Sequence, residues 1–431
     1  MKMEDIYKIY QQNPSIQTDT RKLKKSDLFF ALKGPNFNGN EFAAQALDCG
    51  AAYIFVDEKL SFNDDRVILT KDVLQTLQGL AKFHRTQLSK MSADKKIPFI
   101  AITGSNGKTT TKELLSKVLS STFKTYTTEG NLNNHIGVPL TILKIKEDVE
   151  MAVIEMGANH LGEIASYCKY AMPTHGLITN CGKAHLEGFG SIENVKKGKG
   201  ELFDYLRDHK GTAFVNNDDE SIFRLSTGIR EVISYGSNGG NVKGHVLKSD
   251  PFLEVVISNT IPFSVKTNLV GSYNFSNVMA AFCIGRYFNI DDQKIKEAIE
   301  NYLPSNSRSQ LIKDGSNIII SDTYNANPGS MKAAIENFAS MKGEKKILLL
   351  GSMMELGAES KNEHASIVSL IDKYRWTGVV LVGKGFGEIS NRYINYENVS
   401  QAKEWLQKLH PENAYILVKG SRSMQMEKVL E

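Results

Sequence analysis

The sequence predicts an α/β protein whose main part is a parallel β-sheet wrapped by helices. From Ile97 onward, short apolar strands alternate with helical patterns, an order typical of parallel strands that are joined by helices. The chain of 431 residues is too long for one compact core, so two or three domains are expected. We find no repeat of fixed period and no low-complexity segment.

Three regions follow one another, and we place them at residues 1–83, 84–303 and 304–431. A polar, lysine-rich stretch at 88–96 follows the first region, and a break at 302–307 precedes the third, which is predicted to be a second, smaller α/β domain. The predicted strands are 28–32, 53–56, 97–102, 151–156, 176–179, 213–216, 318–321, 346–350 and 378–382.

The charge and cysteine content exclude several classes of protein. The 52 basic and 48 acidic residues leave a formal charge of only +4, which is too weak a field for nonspecific nucleic-acid binding, so no nucleic-acid partner is expected. The four cysteines, Cys49, Cys168, Cys181 and Cys283, lie far apart without a C-x-x-C pair. This spacing argues against a disulfide framework and a zinc site, so we expect reduced, mostly buried thiols.

Membrane and export signals are not found in the sequence. The first eight residues lack the apolar stretch of a signal peptide, and no run of about 18 uncharged apolar residues occurs. We therefore expect a cytoplasmic protein without an integral membrane segment.

The segment 97–112 indicates a nucleotide-phosphate site. An apolar strand runs into a turn that contains Gly104 and Gly107, and a helix is predicted behind it at 110–119. The glycines let several backbone amides face one point, and the helix N-terminus adds positive potential there. Lys108 is placed to reach the β- and γ-phosphates, and the Thr109 hydroxyl is placed to bind Mg²⁺. ATP with Mg²⁺ is the predicted ligand.

This loop departs from the usual spacing, because the glycine expected five residues before Gly107 is Ile102. The loop is therefore a shortened variant. The alternative is a solvated turn between strand and helix. A second turn, residues 383–385, imitates a phosphate loop but lacks the following Ser or Thr, so it is interpreted as structural.

Polar residues also end two further predicted strands. Glu155 closes the strand at 151–156, and Asn180 and His185 follow the strand at 176–179. Parallel sheets carry their working residues at the carboxyl ends of strands, so Glu155 is a candidate magnesium ligand, with a surface carboxylate as the alternative. Magnesium rarely takes imidazole, and a loop histidine more often forms hydrogen bonds.

Together with these residues, the stretch 193–203 resembles the Mur ligases, and the resemblance covers essentially the whole chain. These are cytoplasmic ATP-dependent enzymes that join amino acids to the stem peptide of bacterial cell-wall precursors. The resemblance implies three domains: a small N-terminal α/β domain that binds a UDP-linked substrate, a central ATPase domain, and a C-terminal Rossmann-like domain that binds the incoming dipeptide. The N-terminal signature is the pair of segments 18–22 and 27–40.

Within the family, the motifs are closest to the member that adds a dipeptide. The segments 180–190, 322–331, 351–357 and 419–423 carry this resemblance. The tetrapeptide Asp-Asn-Pro-Arg, which marks the preceding amino-acid-adding ligase, is not present, and Gly351-Ser352 replaces a frequent Gly-Asp. The implied reaction joins D-alanyl-D-alanine to UDP-N-acetylmuramoyl-tripeptide through an acyl phosphate.

The loop and the resemblance together predict the following site residues. ATP binding is predicted for Gly104, Ser105, Asn106, Gly107, Lys108, Thr109, Thr110, Asn274, Asn277, Arg308 and Asp322. Substrate binding is predicted for Thr20, Arg21, Asn133, Asn134, Asn325, Asn327, Lys419, Ser421 and Arg422. Catalytic roles are predicted for Lys108, His185 and Lys199, and metal binding for Thr109, Glu155, His185 and Lys199.

The sequence leaves several alternatives open. Lys199 is a metal ligand only if it is carbamylated, and otherwise it is a cation near phosphate or substrate. Asn274 and Asn277 are alternatively helix caps. The alternative functions are the preceding ligase, a folylpolyglutamate synthase-like enzyme and a noncatalytic nucleotide-gated binding protein. A monomer is expected, although the composition suits a dimer equally, and the third stem residue, diaminopimelate or lysine, is left open.

Overall fold

The computed structural model describes residues 1–91, 96–258, 260–304 and 308–431. Contacts between Cα atoms divide the chain into two compact units. The first unit comprises 1–102, 123–157 and 162–176, and the second comprises 103–122, 158–161 and 177–431. The predicted domain ranges stay predictions, and parts of the predicted polar stretch (92–95) and break (305–307) lie outside the described residues.

The N-terminal part of the chain folds around a small parallel sheet. Its elements are α1 (Met3–Gln12), β1 (Ile16–Gln17), β2 (Leu28–Phe30), β3 (Lys33–Gly34), β4 (Phe37–Asn38), α2 (Ala43–Asp48), β5 (Tyr53–Val56), β6 (Val67–Leu69) and α3 (Val73–Met91). The strands pair in the order β1–β2–β5–β6, and β3 and β4 form a separate hairpin. Their apolar residues share one core cluster, which includes Phe29, Ala43, Ala46, Ile54 and Val56.

The middle of the chain supplies the largest sheet. Its elements are β7 (Phe99–Thr103), α4 (Lys108–Ser120), β8 (Thr125–Thr127), α5 (Gly137–Leu143), β9 (Met151–Glu155), α6 (Glu163–Ala171), β10 (His175–Ile178), α7 (Leu186–Phe189), α8 (Ile192–Asp208), β11 (Thr212–Asn216), α9 (Glu220–Leu225), β12 (Glu231–Gly236), β13 (Val242–Lys248), β14 (Glu254–Ser258), β15 (Phe263–Lys266), α10 (Phe275–Tyr287) and α11 (Asp292–Glu300). The strand order is β15–β14–β13–β12–β11–β10–β7–β9–β8.

This sheet is mostly parallel, as predicted, and becomes antiparallel at β14 and β15. The pairs β7–β9, β8–β9 and β11–β12 are parallel, and β7 and β9 are buried along their whole length, as in sheets covered on both faces. The pairs β13–β14 and β14–β15 are antiparallel, which the prediction of a parallel sheet missed. Their connections are too short for the helical crossover that parallel strands need.

The C-terminal part forms a second sheet with its own core. Its elements are β16 (Gln310–Asp314), β17 (Asn317–Asp322), α12 (Pro328–Ser340), β18 (Lys345–Gly351), α13 (Ser360–Ile371), β19 (Gly378–Val382), α14 (Lys384–Gly387), β20 (Ile394–Tyr396), α15 (Val399–Leu409) and β21 (Ala414–Lys419). The strand order is β16–β17–β21–β18–β19–β20, in which β16 pairs antiparallel and the others parallel. The predicted α/β class is confirmed.

Two further expectations can be compared with the structure. The cysteines are free thiols, as predicted; Cys168 and Cys283 are buried, Cys181 is partly buried, and Cys49 is exposed. Burial raises the pKa of the Cys181 thiol to about 12. Among the described residues, no helix combines the length and apolar character needed to cross a bilayer.

Candidate active site

The phosphate loop, residues 104–107, joins the end of β7 to the start of α4, and its packing requires both glycines. Gly104 (φ +140°) and Gly107 (φ +82°) have backbone conformations that favour glycine. A Cβ atom on Gly104 would lie 2.0 Å from Oγ1 of Thr179, and one on Gly107 would lie 2.5 Å from Oδ1 of Asn277. The two positions therefore carry no side chain, which lets a phosphate approach the loop backbone closely.

Lys108 begins α4 and folds its side chain back over the loop. Its Nζ donates hydrogen bonds to the carbonyl oxygens of Gly104 (2.6 Å) and Ser105 (3.2 Å). The ammonium is thereby held near the first turn of α4, where the helix N-terminus also favours an anion. Thr109 follows it and is buried. A cation, a helix start and a glycine turn thus meet in the arrangement that a polyphosphate requires.

The residues that follow β10 hold the loop in place through hydrogen bonds. The Asn106 N–H donates to Oδ1 of Asn180 (3.0 Å), and Asn180 Nδ2 donates back to the Asn106 carbonyl (2.9 Å). Thr179 Oγ1 donates to the same carbonyl (2.5 Å), and Ser105 Oγ donates to the Gly182 carbonyl (2.8 Å). Thr179 and Asn180 were not among the predicted site residues, and their position directly after a strand was the available signal.

Asn274 and Asn277, which are predicted to contact the nucleotide, form a buried amide pair near α10. Asn277 Nδ2 donates to Asn274 Oδ1 (2.8 Å), and Asn274 Nδ2 donates to the Val270 carbonyl (2.9 Å). Asn277 Oδ1 accepts from the Thr111 hydroxyl of α4 (3.0 Å). Asn274 makes no side-chain cap of α10, so the capping alternative is wrong for it. The pair links α10 to the helix behind the phosphate loop.

Asp322, at the end of β17, is the centre of a charged cluster. Its Oδ2 accepts from Nζ of the buried Lys419 (2.6 Å), and its Oδ1 accepts from the Ser309 N–H (3.1 Å). The Arg308 guanidinium carbon lies 3.5 Å from the centre of the Tyr324 ring, a cation–π contact. The predicted nucleotide residues Arg308 and Asp322 therefore lie near Lys419, which was predicted to bind the dipeptide.

The remaining predicted C-terminal residues have structural contacts of their own. Ser421 is buried, and its hydroxyl accepts from the Met354 N–H (2.8 Å). Arg422 is largely exposed and pairs with Glu427 (3.0 Å), while its backbone N–H donates to Oδ1 of the exposed Asn325 (3.4 Å).

Glu155, the predicted metal ligand at the end of β9, is buried. Its Oε1 accepts from Nδ2 of Asn133 (2.7 Å), and its N–H donates to the Thr128 hydroxyl (2.9 Å). The alternative of a surface carboxylate is therefore wrong. Asn134 accepts N–H groups of Ile136 (3.1 Å) and Gly137 (2.8 Å), which stabilises the start of α5. Asn133 and Asn134, both predicted for substrate, thus also order this loop.

His185 precedes α7 and faces the C-terminal part of the chain. Its Nδ1 lies 2.5 Å from Oε2 of Glu355, and a hydrogen bond from His185 lowers the pKa of the Glu355 carboxyl. A second ion pair joins Lys183 to Glu363 (2.6 Å). The loop after β10 therefore contacts the segment after β18 through two charged pairs, neither of which was predicted.

Lys199 lies on α8 and is completely buried. Its Nζ donates to the Ala158 carbonyl (2.9 Å) and lies 5.2 Å from the centre of the Phe189 ring. A buried lysine is costly and is uncommon outside functional sites. Its two predicted roles, a carbamylated ligand and a cation, both stay predictions.

Thr20 and Arg21 line a cavity of about 500 Å³ in the N-terminal part of the chain. The rings of Phe37 and Phe42 stack at 5.3 Å beside it, and Thr20 Oγ1 donates to Gln45 Oε1 (3.2 Å). Arg21 bonds Asp19 through two nitrogens (2.9 and 2.8 Å), and this hydrogen bonding lowers the pKa of Asp19 to about 2. Stacked rings with nearby polar groups suit a nucleobase.

Family models match most of the chain. The model described as the Mur ligase middle domain matches residues 102–285, and the model described as the Mur ligase, glutamate ligase domain matches residues 307–422. Full-length relatives are named UDP-N-acetylmuramoyl-tripeptide--D-alanyl-D-alanine ligase. The relative from Bacillus subtilis is 34% identical and that from Escherichia coli is 35% identical; each alignment covers 96% of this chain and 92% of the relative.

Solved structures are similar over nearly the whole chain. MurF from Acinetobacter baumannii has a TM-score of 0.87 at 28% identity, covering 98% of this chain and 96% of that one. MurF ligase from Thermotoga maritima, in complex with ADP, has a TM-score of 0.85 at 27% identity, covering 97% and 96%. A Mycobacterium tuberculosis folylpolyglutamate synthase has a TM-score of 0.61 at 13% identity, covering 80% and 93%, and shares the fold alone.

Proposed function

This chain belongs to the Mur ligase family, and from that membership we propose that it joins D-alanyl-D-alanine to UDP-N-acetylmuramoyl-tripeptide. ATP is converted to ADP and phosphate, and the product is UDP-N-acetylmuramoyl-pentapeptide. The observation that carries the proposal is the full-length similarity to relatives that bear this name, at 34% and 35% identity. The predicted three-domain architecture agrees with the family models and with the full-length structural neighbours.

The first step activates a carboxylate. The terminal carboxylate of the tripeptide attacks the γ-phosphorus of ATP, the bond to the β,γ-bridging oxygen breaks, and an acyl phosphate and ADP result. Two anions must approach each other for this attack. Lys108 and the N-terminal end of α4 offset that repulsion and stabilise the transferred phosphoryl group.

The second step forms the peptide bond. The free amine of D-alanyl-D-alanine attacks the acyl carbon, and the tetrahedral intermediate collapses with loss of phosphate. We assign the acceptor to the C-terminal cluster around Lys419, Asn325 and Arg422, where the exposed Arg422 suits a peptide carboxylate. Arg308 and Asp322 of the same cluster are assigned to the nucleotide.

Magnesium is proposed as the second cofactor. Among the residues that the structure describes, no three His, Cys, Asp or Glu side chains are grouped to hold a metal ion. This fits an ion that arrives with the nucleotide, because Mg²⁺ takes most of its ligands from phosphates and water and only one or two from protein. Thr109 and Glu155 stay the proposed protein ligands of this ion, and Glu155, His185 and, if it is carbamylated, Lys199 are proposed to form a second metal site. A bound magnesium would neutralise charge on the phosphates.

The cavity lined by Thr20 and Arg21 is proposed to hold the uridine end of the substrate. Its stacked Phe37 and Phe42 rings offer a flat apolar surface, and Arg21 offers a cation to the diphosphate. A folylpolyglutamate synthase-like enzyme has no need of such a site. We also propose that the protein acts in the cytoplasm, where ATP and UDP-linked precursors are found, as a monomer.

Product analysis tests the proposal directly. Purified protein is supplied with ATP, Mg²⁺, a UDP-linked tripeptide and D-alanyl-D-alanine, and the mass of the product is measured by mass spectrometry. We expect the mass of the pentapeptide precursor, together with phosphate release that needs both substrates. In a parallel reaction that supplies a UDP-linked dipeptide and single amino acids instead, addition of one amino acid would favour the preceding ligase. Slow hydrolysis that is indifferent to the acceptor would favour a noncatalytic nucleotide-gated protein.

A further inference from the structure

The side chain of Asn327 makes two different contacts at the start of α12. Its Oδ1 accepts from the Ser330 N–H (2.9 Å), and Ser330 Oγ accepts from the Asn327 N–H (3.1 Å), so the two residues form a capping box. The amide NH₂ of Asn327 then donates to Oδ1 of Asn106 in the phosphate loop (2.7 Å). One side chain therefore joins α12 to the loop.

The loop end of this contact is held firmly. Asn106 is bonded to Asn180 through both its backbone N–H and its carbonyl, and the same carbonyl accepts from Thr179. The side chain of Asn106 consequently projects from a fixed backbone. A shift of α12 relative to the loop must break the bond to Asn327 or displace a loop that the end of β10 holds in place.

The other end of the contact leads to the proposed acceptor residues. The Ala326 carbonyl accepts from the Ser421 hydroxyl (3.4 Å), and the Asn325 carbonyl accepts from Lys419 Nζ (3.1 Å). The two residues immediately before Asn327 are thus bonded to the end of β21. The phosphate loop is thus connected to the residues proposed to hold the acceptor by the hydrogen bond to Asn327, the backbone of residues 325–327 and the hydrogen bonds to Lys419 and Ser421.

We propose that Asn327 is a positioning residue that couples the phosphate loop to the acceptor site. The identity of the acceptor in this inference rests on the proposed function, whereas the coupling between loop and helix does not. We expect nucleotide binding to tighten acceptor binding. Because coupling between two sites is reciprocal, acceptor binding should then tighten nucleotide binding by the same factor. A cap alone needs no such amide, because serine caps a helix about as well as asparagine.

The test compares the same substitution at two capping boxes. Asn327→Ser keeps a capping oxygen and removes the NH₂ that reaches Asn106. Asn398→Ser is the matched control, since Asn398 forms an equivalent box with Gln401 at the start of α15 and its side chain is exposed. The measured quantity is the hydrogen-exchange rate of the backbone amides of residues 104–108, in the full-length protein with saturating MgADP. This readout does not depend on the identity of the acceptor.

We expect Asn327→Ser to raise loop exchange at least fivefold and Asn398→Ser to leave it unchanged. In ligation assays, Asn327→Ser should raise KM for D-alanyl-D-alanine about tenfold with a smaller change in kcat. The double variant Asn106→Ala with Asn327→Ser should show no larger change in loop exchange or KM than either single variant, because both substitutions remove the same contact.

Equal exchange in the two serine variants, or additive effects in the double variant, would overturn the inference. If wild-type protein gives no pentapeptide, the proposed function fails, while the exchange comparison still decides the coupling.

Discussion

His185 and Glu355 meet side chain to side chain, with Nδ1 and Oε2 2.5 Å apart, from two backbone positions that are both left-handed. The φ angles are +53° and +62°, conformations that cost a residue with a side chain about 1 kcal/mol or more. The Glu187 N–H also donates to the Glu355 carbonyl (3.1 Å). Two strained residues in direct contact indicate that the surrounding packing holds this pair in place.

Glu355→Gln should lower stability in a pH-dependent way. The hydrogen bond from His185 holds the folded-state pKa of Glu355 below its unfolded value. The stability it contributes is therefore present above the unfolded pKa and is lost as pH falls through the folded pKa. The side chain is 51% exposed, so screening keeps the effect below about 1 kcal/mol.

Thermal unfolding from pH 7 to pH 3.5 measures this effect. The difference between wild type and Glu355→Gln should shrink towards zero below about pH 4. Glu344→Gln, at an exposed glutamate on the same part of the chain, serves as control. A difference that stays constant with pH would show that the carboxylate charge is not involved.

Lys108→Met should abolish most of the activity while leaving the fold intact. The substitution removes the ammonium that lies over the phosphate loop, and loss of one preorganised charge contact typically costs 10²–10³-fold in rate. Phosphate release and product formation measure the loss. Lys384→Met is the matched control, because its side chain is 91% exposed in the turn interpreted as structural. Equal activity in the two variants would contradict the assignment of Lys108.

Lys199→Met should remove activity at a modest cost in stability. The substitution keeps the volume of the buried side chain but leaves the Ala158 carbonyl without this donor, a loss of about 1–3 kcal/mol. Both predicted roles, ligand after carbamylation and cation, are lost. The activity of the wild-type protein with and without added bicarbonate distinguishes the two roles, since only a carbamylated lysine responds to bicarbonate. Lys197→Met, exposed on the same helix, is the control, and an active Lys199→Met variant would reject both roles.

Acid should destabilise the N-terminal part of the chain through His84. Burial lowers the pKa of His84, whose ring nitrogens contact the Tyr7 hydroxyl (3.1 Å) and the Ile145 carbonyl (2.8 Å). As pH falls, His84 is therefore protonated in the unfolded chain before it is protonated in the folded one. The free energy of unfolding then decreases below about pH 6.5, by up to about 1.4 kcal/mol per pH unit.

Unfolding midpoints between pH 8 and pH 5 measure the contribution of His84. His84→Gln should flatten the decline below pH 6.5, whereas His410→Gln, at an exposed histidine, should not. An unchanged slope in His84→Gln would show that other groups bind the proton.

Local signals account for what the sequence predicted well. The continuous apolar runs at 53–56 and 378–382 coincide with β5 and β19, and the helix predicted at 110–119 lies within α4. The phosphate loop was recognisable because glycine, lysine and threonine lie side by side. β13 and β15 lack a strong apolar pattern because most of their residues are at least partly exposed. β14 is mostly buried and carries a short apolar run at 255–257, a signal that the prediction did not use.

Contacts between residues far apart in the chain could not be predicted. Thr111 and Asn277 are 166 residues apart, and Asn106 and Asn327 are 221 residues apart. Each residue resembles an ordinary helix cap or loop residue in the sequence. Their partners depend on how strand ends and helix starts converge, which is a property of the fold that no local pattern encodes.

The crowding around Gly104 and Gly107 also limits how the protein can change under selection. Their neighbours, Thr179 and Asn277, belong to different elements, so any enlarged side chain must displace a strand end or a helix. Open space surrounds Gly34, by contrast, where nothing lies within 4 Å of an added Cβ. An inhibitor that contacts only the backbone of the loop would consequently meet few viable resistance mutations, whereas one that relies on outward-facing side chains would meet many.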